Sequence, residues 1–259
     1  MLFLTLACVA PSEPPFGKGS MGADDSGDSA ANADDSSSDS GEDTGDMPPP
    51  DDLLRDDFDA LDDVVWGIGD WTLGDTALVQ RNVSAHDGLL DLRHRGSTDA
   101  GWTGGEIYSM DEYSSGVWTA RVTAPTDPGT VCAFFFYGWT DDANGGETNE
   151  IDVELLAGKA MVGTYAGWHE SDGYETSATR EWQWVDGDAT GTHDYQIDWT
   201  ADVVTFSVDG APAASFSTAV PAGDLALHFN HWTTDAWDDV GGPPAANDLH
   251  CLVDWVAGG

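Results

Sequence analysis

Between residues 148 and 158 the chain reads Thr-Asn-Glu-Ile-Asp-Val-Glu-Leu-Leu-Ala-Gly. Side chains on a β-strand alternate between faces, so Glu150, Asp152 and Glu154 share one face while Ile151, Val153 and Leu155 share the other. One face suits a core. The other carries three carboxylates with no Lys or Arg among them, and like charges in a row repel and raise one another's pKa. Carboxylates with split pKa values are what cleavage of a glycosidic bond needs: one ionised to attack the anomeric carbon, one protonated to release the leaving oxygen. In enzymes that retain configuration the two groups lie about 5–5.5 Å apart. Four residues of strand span about 13 Å, so the Glu150 and Glu154 side chains have to lean toward each other over Asp152. A solvated acidic face or a calcium site would use the same residue types, and the spacing alone leaves these readings open.

The elements around this segment are short alternating runs separated by Gly, Asp, Asn and Pro, with no sustained helical period. Examples are residues 88–93, 116–122, 131–137, 194–199 and 203–208. Asp209-Gly210, between the last of these and residues 213–216, is a hairpin signal. Many short strands at this spacing predict a sandwich or barrel, with no helix longer than a turn or two.

The chain of 259 residues carries 48 acids against 8 Lys and Arg, a formal charge of -40. Residues 9–50 hold 10 of those acids and one Lys, so the part beyond them is itself strongly anionic. Such a surface repels phosphate backbones and anionic lipid heads, which argues against nucleic acid as a partner. Residues 9–50 are Asp, Ser, Gly, Ala and Pro with Phe16 as the single aromatic, a composition that predicts a disordered acidic linker ending at Pro48-Pro49-Pro50. All 12 tryptophans follow it, and residues 51–259 are expected to form one domain.

The apolar run Met1–Ala7 ends at Cys8 and resembles a bacterial lipoprotein signal, in which the cysteine becomes the lipidated first residue. Residues 1–8 are therefore expected to be a targeting segment, and the protein to be secreted or held at the cell surface, with the membrane touched only through that anchor. Three cysteines make no disulfide framework. Cys132 and Cys251 fall in expected strands, either as buried thiols or as one disulfide. His and Cys show no zinc spacing.

Glu150-Ile-Asp-Val-Glu154 also resembles the Glu-x-Asp-x-Glu motif of glycoside hydrolase family 16, in the short form of lichenases and xyloglucan-active members. The resemblance runs over most of residues 51–259. Asp57-Phe58 with Trp66, and residues 87–92, look like the opening strands. Residues 105–109 resemble a lichenase segment with a substrate-contacting Glu and Arg, matched by Glu106 but with Tyr108 in place of the Arg. Residues 134–137 resemble the aromatic strand before the motif, with Tyr137 at a substrate-contacting position. His193-Asp-Tyr-Gln-Ile-Asp-Trp199, Val208-Asp-Gly210, Asn230-His-Trp232 with Trp237, and Val253-Asp-Trp-Val256 are similar to later family segments.

This resemblance implies a concanavalin-like jelly-roll sandwich of two curved antiparallel sheets, all-β, with the acidic strand crossing a cleft. It implies that Glu150 attacks, Asp152 tunes the nucleophile through a hydrogen bond, and Glu154 donates and then retrieves a proton. Catalysis would need no cofactor. A structural calcium on the Gly88 carbonyl and the Asp254 carboxylate is implied as well. The expected activity is endo-hydrolysis of a β-glucan with retention, first of all a β-1,3-1,4-glucan. Other activities of the family (β-1,3-glucanase, galactanase, transglycosylase) and a non-catalytic carbohydrate-binding jelly roll are the alternatives. The expected partner is a polysaccharide, bound by a monomer. Sugar rings stack on flat aromatic plates. Trp232 and Tyr137 are the first candidates, then Trp139 and Trp237; Trp168 and His169 stand open between cleft and packing. Trp199 and Trp255 are expected to point into the core.

Overall fold

The computed structural model describes residues 53–97, 99–140, 147–169, 179–233, 244 and 248–259. The expectations for the 1–8 and 9–50 segments, Cys8 and Trp237 fall outside these residues, as do the side chains of Trp168 and His169. Seventeen strands and one 3-10 turn, Gln80–Asn82, make up the described secondary structure. The first five strands are β1 (Leu54–Asp56), β2 (Trp66–Ile68), β3 (Thr72–Leu73), β4 (Thr76–Leu78) and β5 (Val83–Ala85). Longer ones follow: β6 (Leu90–Ser97), β7 (Gly101–Tyr113), β8 (Gly116–Ala124), β9 (Thr130–Thr140), β10 (Glu147–Leu156) and β11 (Lys159–His169). The last six are β12 (Thr179–Trp184), β13 (Gly191–Trp199), β14 (Val204–Val208), β15 (Ala211–Phe216), β16 (Leu225–Thr233) and β17 (Asp248–Gly258).

These strands form the expected sandwich. One sheet runs β2-β7-β16-β9-β10-β11-β12, all antiparallel. The other runs β15-β14-β13-β8-β17, with β6 and β1 sharing the far edge of β17 and β5 outside β6. The sheets join where β6 turns into β7, and the short β4 adds a parallel pairing to β7. The Asp209-Gly210 turn between β14 and β15 has φ of 50° and 75°, the left-handed pair that a two-residue hairpin requires.

The core lies between the sheets. Every second residue of each long strand turns inward, so Phe134 and Phe136 of β9, Ile151, Val153 and Leu155 of β10, Trp118 of β8, Trp199 of β13 and Phe229 of β16 pack together. Cys132 on β9 and Cys251 on β17 form a disulfide across this core, which decides between the two sequence readings of that pair. It ties the central strands of the two sheets together. His94 and His231 are also enclosed, with ring centroids 5.5 Å apart. The Trp102 ring stacks on His94, and His231 Nδ1 donates to the Leu92 carbonyl at 2.9 Å. Burial lowers the pKa of His94 to about 4 and of His231 to about 3, so both are neutral at ordinary pH.

Trp199 is buried as expected, but Trp255 is not. The register of β17 against β8 shifts between Val253 and Trp255. This irregularity breaks the alternation and turns Trp255 to the outside, where the guanidinium groups of Arg55 and Arg121 lie 5.7 and 5.5 Å from its ring. Strict period-two reading fails wherever a bulge inserts a residue.

The disulfide closes a sequence separation of 119 residues, and a loop near that length restricts the unfolded chain by about 4–5 kcal/mol in the chain-entropy picture. Replacing Cys132 and Cys251 together by Ala should lower the melting temperature by roughly 10 °C. A thermal melt in which reductant shifts the unmodified protein but not the double variant would check it.

Candidate active site

A two-residue turn, Ala157-Gly158, with φ of 50° and 77°, links β10 to β11 and pairs Leu156 with Lys159. The register then follows without interruption: Glu154 opposite Met161, Asp152 opposite Gly163, Glu150 opposite Tyr165. On the other side of β10 the opposing residues are Ala133, Phe135 and Tyr137 of β9. Beyond Glu150 the pairing with β11 slips, at Ala166-Gly167. Gly167 has φ 68°, and its N–H donates to Asn149 Oδ1 at 3.1 Å. The bulge anchors the strand next to Glu150.

The three carboxylates point away from the core, yet each is only 2% exposed. Burial raises the pKa of Asp152 to about 8, while its hydrogen bond to Glu150 acts in the opposite direction. Glu154 is raised well above its ordinary value of 4.5, by burial first and by the neighbouring Asp152 second. Three coupled acids thus carry fewer than three charges near neutrality. The hydrogen bond between Asp152 and Glu150 lets the two carboxyls share a proton across one short contact. A protonated Glu154 can act as a proton donor. Asp152 Oδ2 and Glu154 Oε2 are buried with no hydrogen-bond partner among the described residues. Tyr165 beside them is buried too, and its phenol pKa is raised by burial and then by the three acids.

Across β9 and β16 lies a second polar group on the same face. Glu106 of β7 is opposite Asn230 of β16, and Tyr108 is opposite His228. His228 Nδ1 lies 2.9 Å from Glu106 Oε1, and Asn230 Nδ2 donates to Glu106 Oε2 at 3.5 Å. The His228 ring is held between the Phe135 ring at 4.8 Å and the Tyr108 ring at 5.7 Å. Tyr137 meets it edge-on and Trp71 flanks Tyr108. The sheet therefore gathers Glu106, Tyr108, Tyr137 and Asn230 beside the acids, as the sequence suggested. Tyr137 and Trp139 are partly exposed.

Trp232 is a correction. It faces the same side but is 4% exposed, packed with Leu73, Leu78 and Val131 under the β3–β4 hairpin, so it is a packing residue and not an open plate. A Cβ on Gly74 would approach its ring to 2.8 Å. Residues that sequence reasoning passed over include His228, which lies two positions before Asn230 and was available to the same alternation. Tyr165 was available by counting back from the Ala157-Gly158 turn. Arg180 and Trp182 on β12 had no local signal.

Gly88 sits in a left-handed turn (φ 75°) near the Asp57 carbonyl, and Asp254 is half-buried on β17. Among the described residues, no group of three or more His, Cys, Asp and Glu is placed to hold a metal ion. One carboxylate and one carbonyl fall short of the 6–8 oxygens calcium takes; the rest would have to be further carbonyls or water.

Glu154 has a raised pKa in the fold, so the native state keeps a proton that the unfolded chain sheds. Its contribution is full below pH 4.5 and is lost as pH rises through the folded value. His94 and His231 have the opposite sign, losing stability as pH falls below 6.5 toward their lowered values. Glu154→Gln leaves the histidines untouched. It should stabilise the protein at pH 8, with a smaller gain at pH 5, as read by denaturant unfolding of the variant and unmodified protein at both pH values.

The sequence model of Glycosyl hydrolases family 16 matches residues 71–257. The chain is 27% identical to a beta-glucanase of Paenibacillus polymyxa over 183 residues, 66% of this chain and 70% of that one. It is also 27% identical to the endo-1,3-1,4-beta-glycanase ExoK of Rhizobium meliloti over 198 residues, 72% of this chain and 70% of that one. In fold it is similar to the beta-glucanase of Bacillus licheniformis, with a TM-score of 0.67 at 21% identity over 82% of this chain and 99% of that one. The family match spans the acid-bearing strand and nearly all of both sheets, and the chain belongs to glycosyl hydrolases family 16, as a glycoside hydrolase.

Proposed function

We propose that the protein is an endo-acting β-glucanase that cleaves mixed-linkage β-1,3-1,4-glucan with retention of configuration. The observation that carries this is the buried row Glu150–Asp152–Glu154, in which burial raises the pKa of both Asp152 and Glu154 beside Glu150. Glu150 attacks the anomeric carbon as the glycosidic C–O bond breaks, and Glu154 passes its proton to the departing oxygen. Water, deprotonated by the now ionised Glu154, then attacks the glycosyl ester on Glu150 and restores both residues. Similarity to the beta-glucanases and to the endo-1,3-1,4-beta-glycanase supports the choice of glucan. Glu106, His228 and Asn230 supply polar groups beside the acids, with Tyr108 and Tyr137 as aromatic ones, in keeping with a neutral sugar chain.

The full chain should release oligosaccharides from barley β-glucan and lichenan, and Glu150→Gln should lower that rate by at least about 1000-fold. Reducing-end assays on these, laminarin, xyloglucan and agarose check the substrate. Cleavage of another polymer in the set would redirect the specificity within the family. Binding without turnover by the unmodified protein would make it a lectin-like jelly roll.

We also propose that the chain is exported and anchored through Cys8. The Cys132–Cys251 disulfide supports an oxidising compartment, and a polymeric substrate supports a site outside the cytoplasm. Cell fractionation should find the protein with membranes and Cys8→Ser in the soluble fraction; an unchanged distribution would remove the anchor.

A further inference from the structure

Among the described residues, strand β12 is the edge of the acid-bearing sheet, and its side chains divide cleanly. Glu181 and Gln183 reach to the second sheet. Glu181 Oε2 accepts the backbone N–H of Ser217 at 3.0 Å and of Thr218 at 2.9 Å, and Gln183 Nε2 donates to the Ala213 carbonyl at 2.9 Å. By alternation, Arg180, Trp182 and Trp184 face the side of the acids. The register places Arg180 beyond Tyr165 in the row of Glu150, Trp182 beyond Gly163 in the row of Asp152, and Trp184 beyond Met161 in the row of Glu154.

Trp184 is packed against the apolar cluster of this face, with the Lys159 ammonium 5.5 Å from its ring. Trp182 differs. It is 44% exposed, and among the large apolar side chains exposed in the described residues (Leu53, Val64, Met110, Val117 and Trp182) it is the aromatic one. An exposed Trp on a strand pinned by three hydrogen bonds is a rigid plate. Gly163 lies between it and Asp152. Its φ is outside the left-handed region, so the backbone does not demand glycine there. What glycine supplies is space: a Cβ at 163 would lie 3.4 Å from Trp182 Cβ, and a longer side chain would stand between the plate and the acids.

The acids on β10 divide this face into two sides. On one side, β9, β16 and β7 bring the Glu106–His228–Asn230 network, a directional polar grip suited to the glycosyl unit that must be held for both chemical steps. On the other side, two strand spacings or about 10 Å from β10, β12 offers a stacking plate and a half-buried guanidinium. We propose that Trp182 and Arg180 form a sugar-binding subsite for the leaving-group side of the substrate chain, one pyranose stacking on Trp182 over Gly163 while Arg180 donates to its hydroxyls. The proposal rests on the assignment of Glu150 and Glu154 as the catalytic pair.

The experiment compares two substrates on the full chain: mixed-linkage glucan, which places sugars on both sides of the cleavage point, and a β-glucan oligosaccharyl fluoride, whose leaving group is a single fluoride. Trp182→Ala should lower the ratio of kcat/KM on polymer to that on fluoride about 10-fold, mainly through KM on the polymer. Trp182→Phe should recover most of that ratio, and Arg180→Gln should lower it severalfold. An unchanged ratio overturns the subsite, whether both rates fall together, as for a merely structural residue, or neither falls. A selective loss on the fluoride would put Trp182 on the glycosyl side and overturn it too. Failure of the unmodified protein to cleave either substrate would instead remove the β-glucanase reading beneath it.

Discussion

Three carboxylates side by side in a nearly dry place cannot all be ionised, because each added charge raises the cost of the next and water is absent to screen it. Much of the site follows from that constraint. Asp152 and Glu154 bind protons more tightly than free carboxyls do. The hydrogen bond between Asp152 and Glu150 works against the rise at Asp152, so the two carboxyls hold their protons as a pair. One strand imposes the arrangement by its alternation, and the same alternation commits Ile151, Val153 and Leu155 to the core. Acidic and apolar faces of β10 are two sides of one backbone, so a slip of one residue would turn the acids into the apolar core and the apolar row out of it.

Register is accordingly guarded at both ends of the strand. The left-handed Ala157-Gly158 pair closes one end, and the Gly167 bulge with its bond to Asn149 secures the other. Across the core, the Cys132–Cys251 disulfide holds β9, the neighbour of β10, against the second sheet. The acidic surface places few demands on this arrangement, because the cations are spent locally: Arg55 pairs with Asp57, Arg93 and Arg95 with Asp248, and Arg121 with Asp194. These four pairs lie on or beside β1, β6, β8, β13 and β17, away from the acid-bearing strand.

Much of the fold was legible because its signals are local. The Asp209-Gly210 hairpin, the alternating runs around residues 116–122 and 194–199, and the aromatic strand at 131–137 each announce themselves within a few residues, and the strands form where they do. Trp255 and Trp232 were misjudged for one physical reason: alternation gives a face, but a bulge can reverse the face, and an overlying hairpin can cover it. Tyr108 was noted as a departure, while its partner His228 was missed; the Glu106–His228 pairing joins residues 122 positions apart, and no local pattern reports such a pair.

The sequence by itself determined that Glu150, Asp152 and Glu154 share one strand face and that the fold is a sandwich or barrel, both read from period two; the resemblance to family 16 is what pointed that acidic face toward glycosidic cleavage. Only the tertiary structure decided how those residues behave. The pairing of Cys132 with Cys251, the burial that raises the Glu154 pKa, the enclosure of Trp232 and the exposure of Trp182 all depend on which strands become neighbours and in what register. Strand pairing is set by contacts summed over the whole sheet, whereas alternation is a property of a single strand, and that is why one could be read from the chain and the other could not.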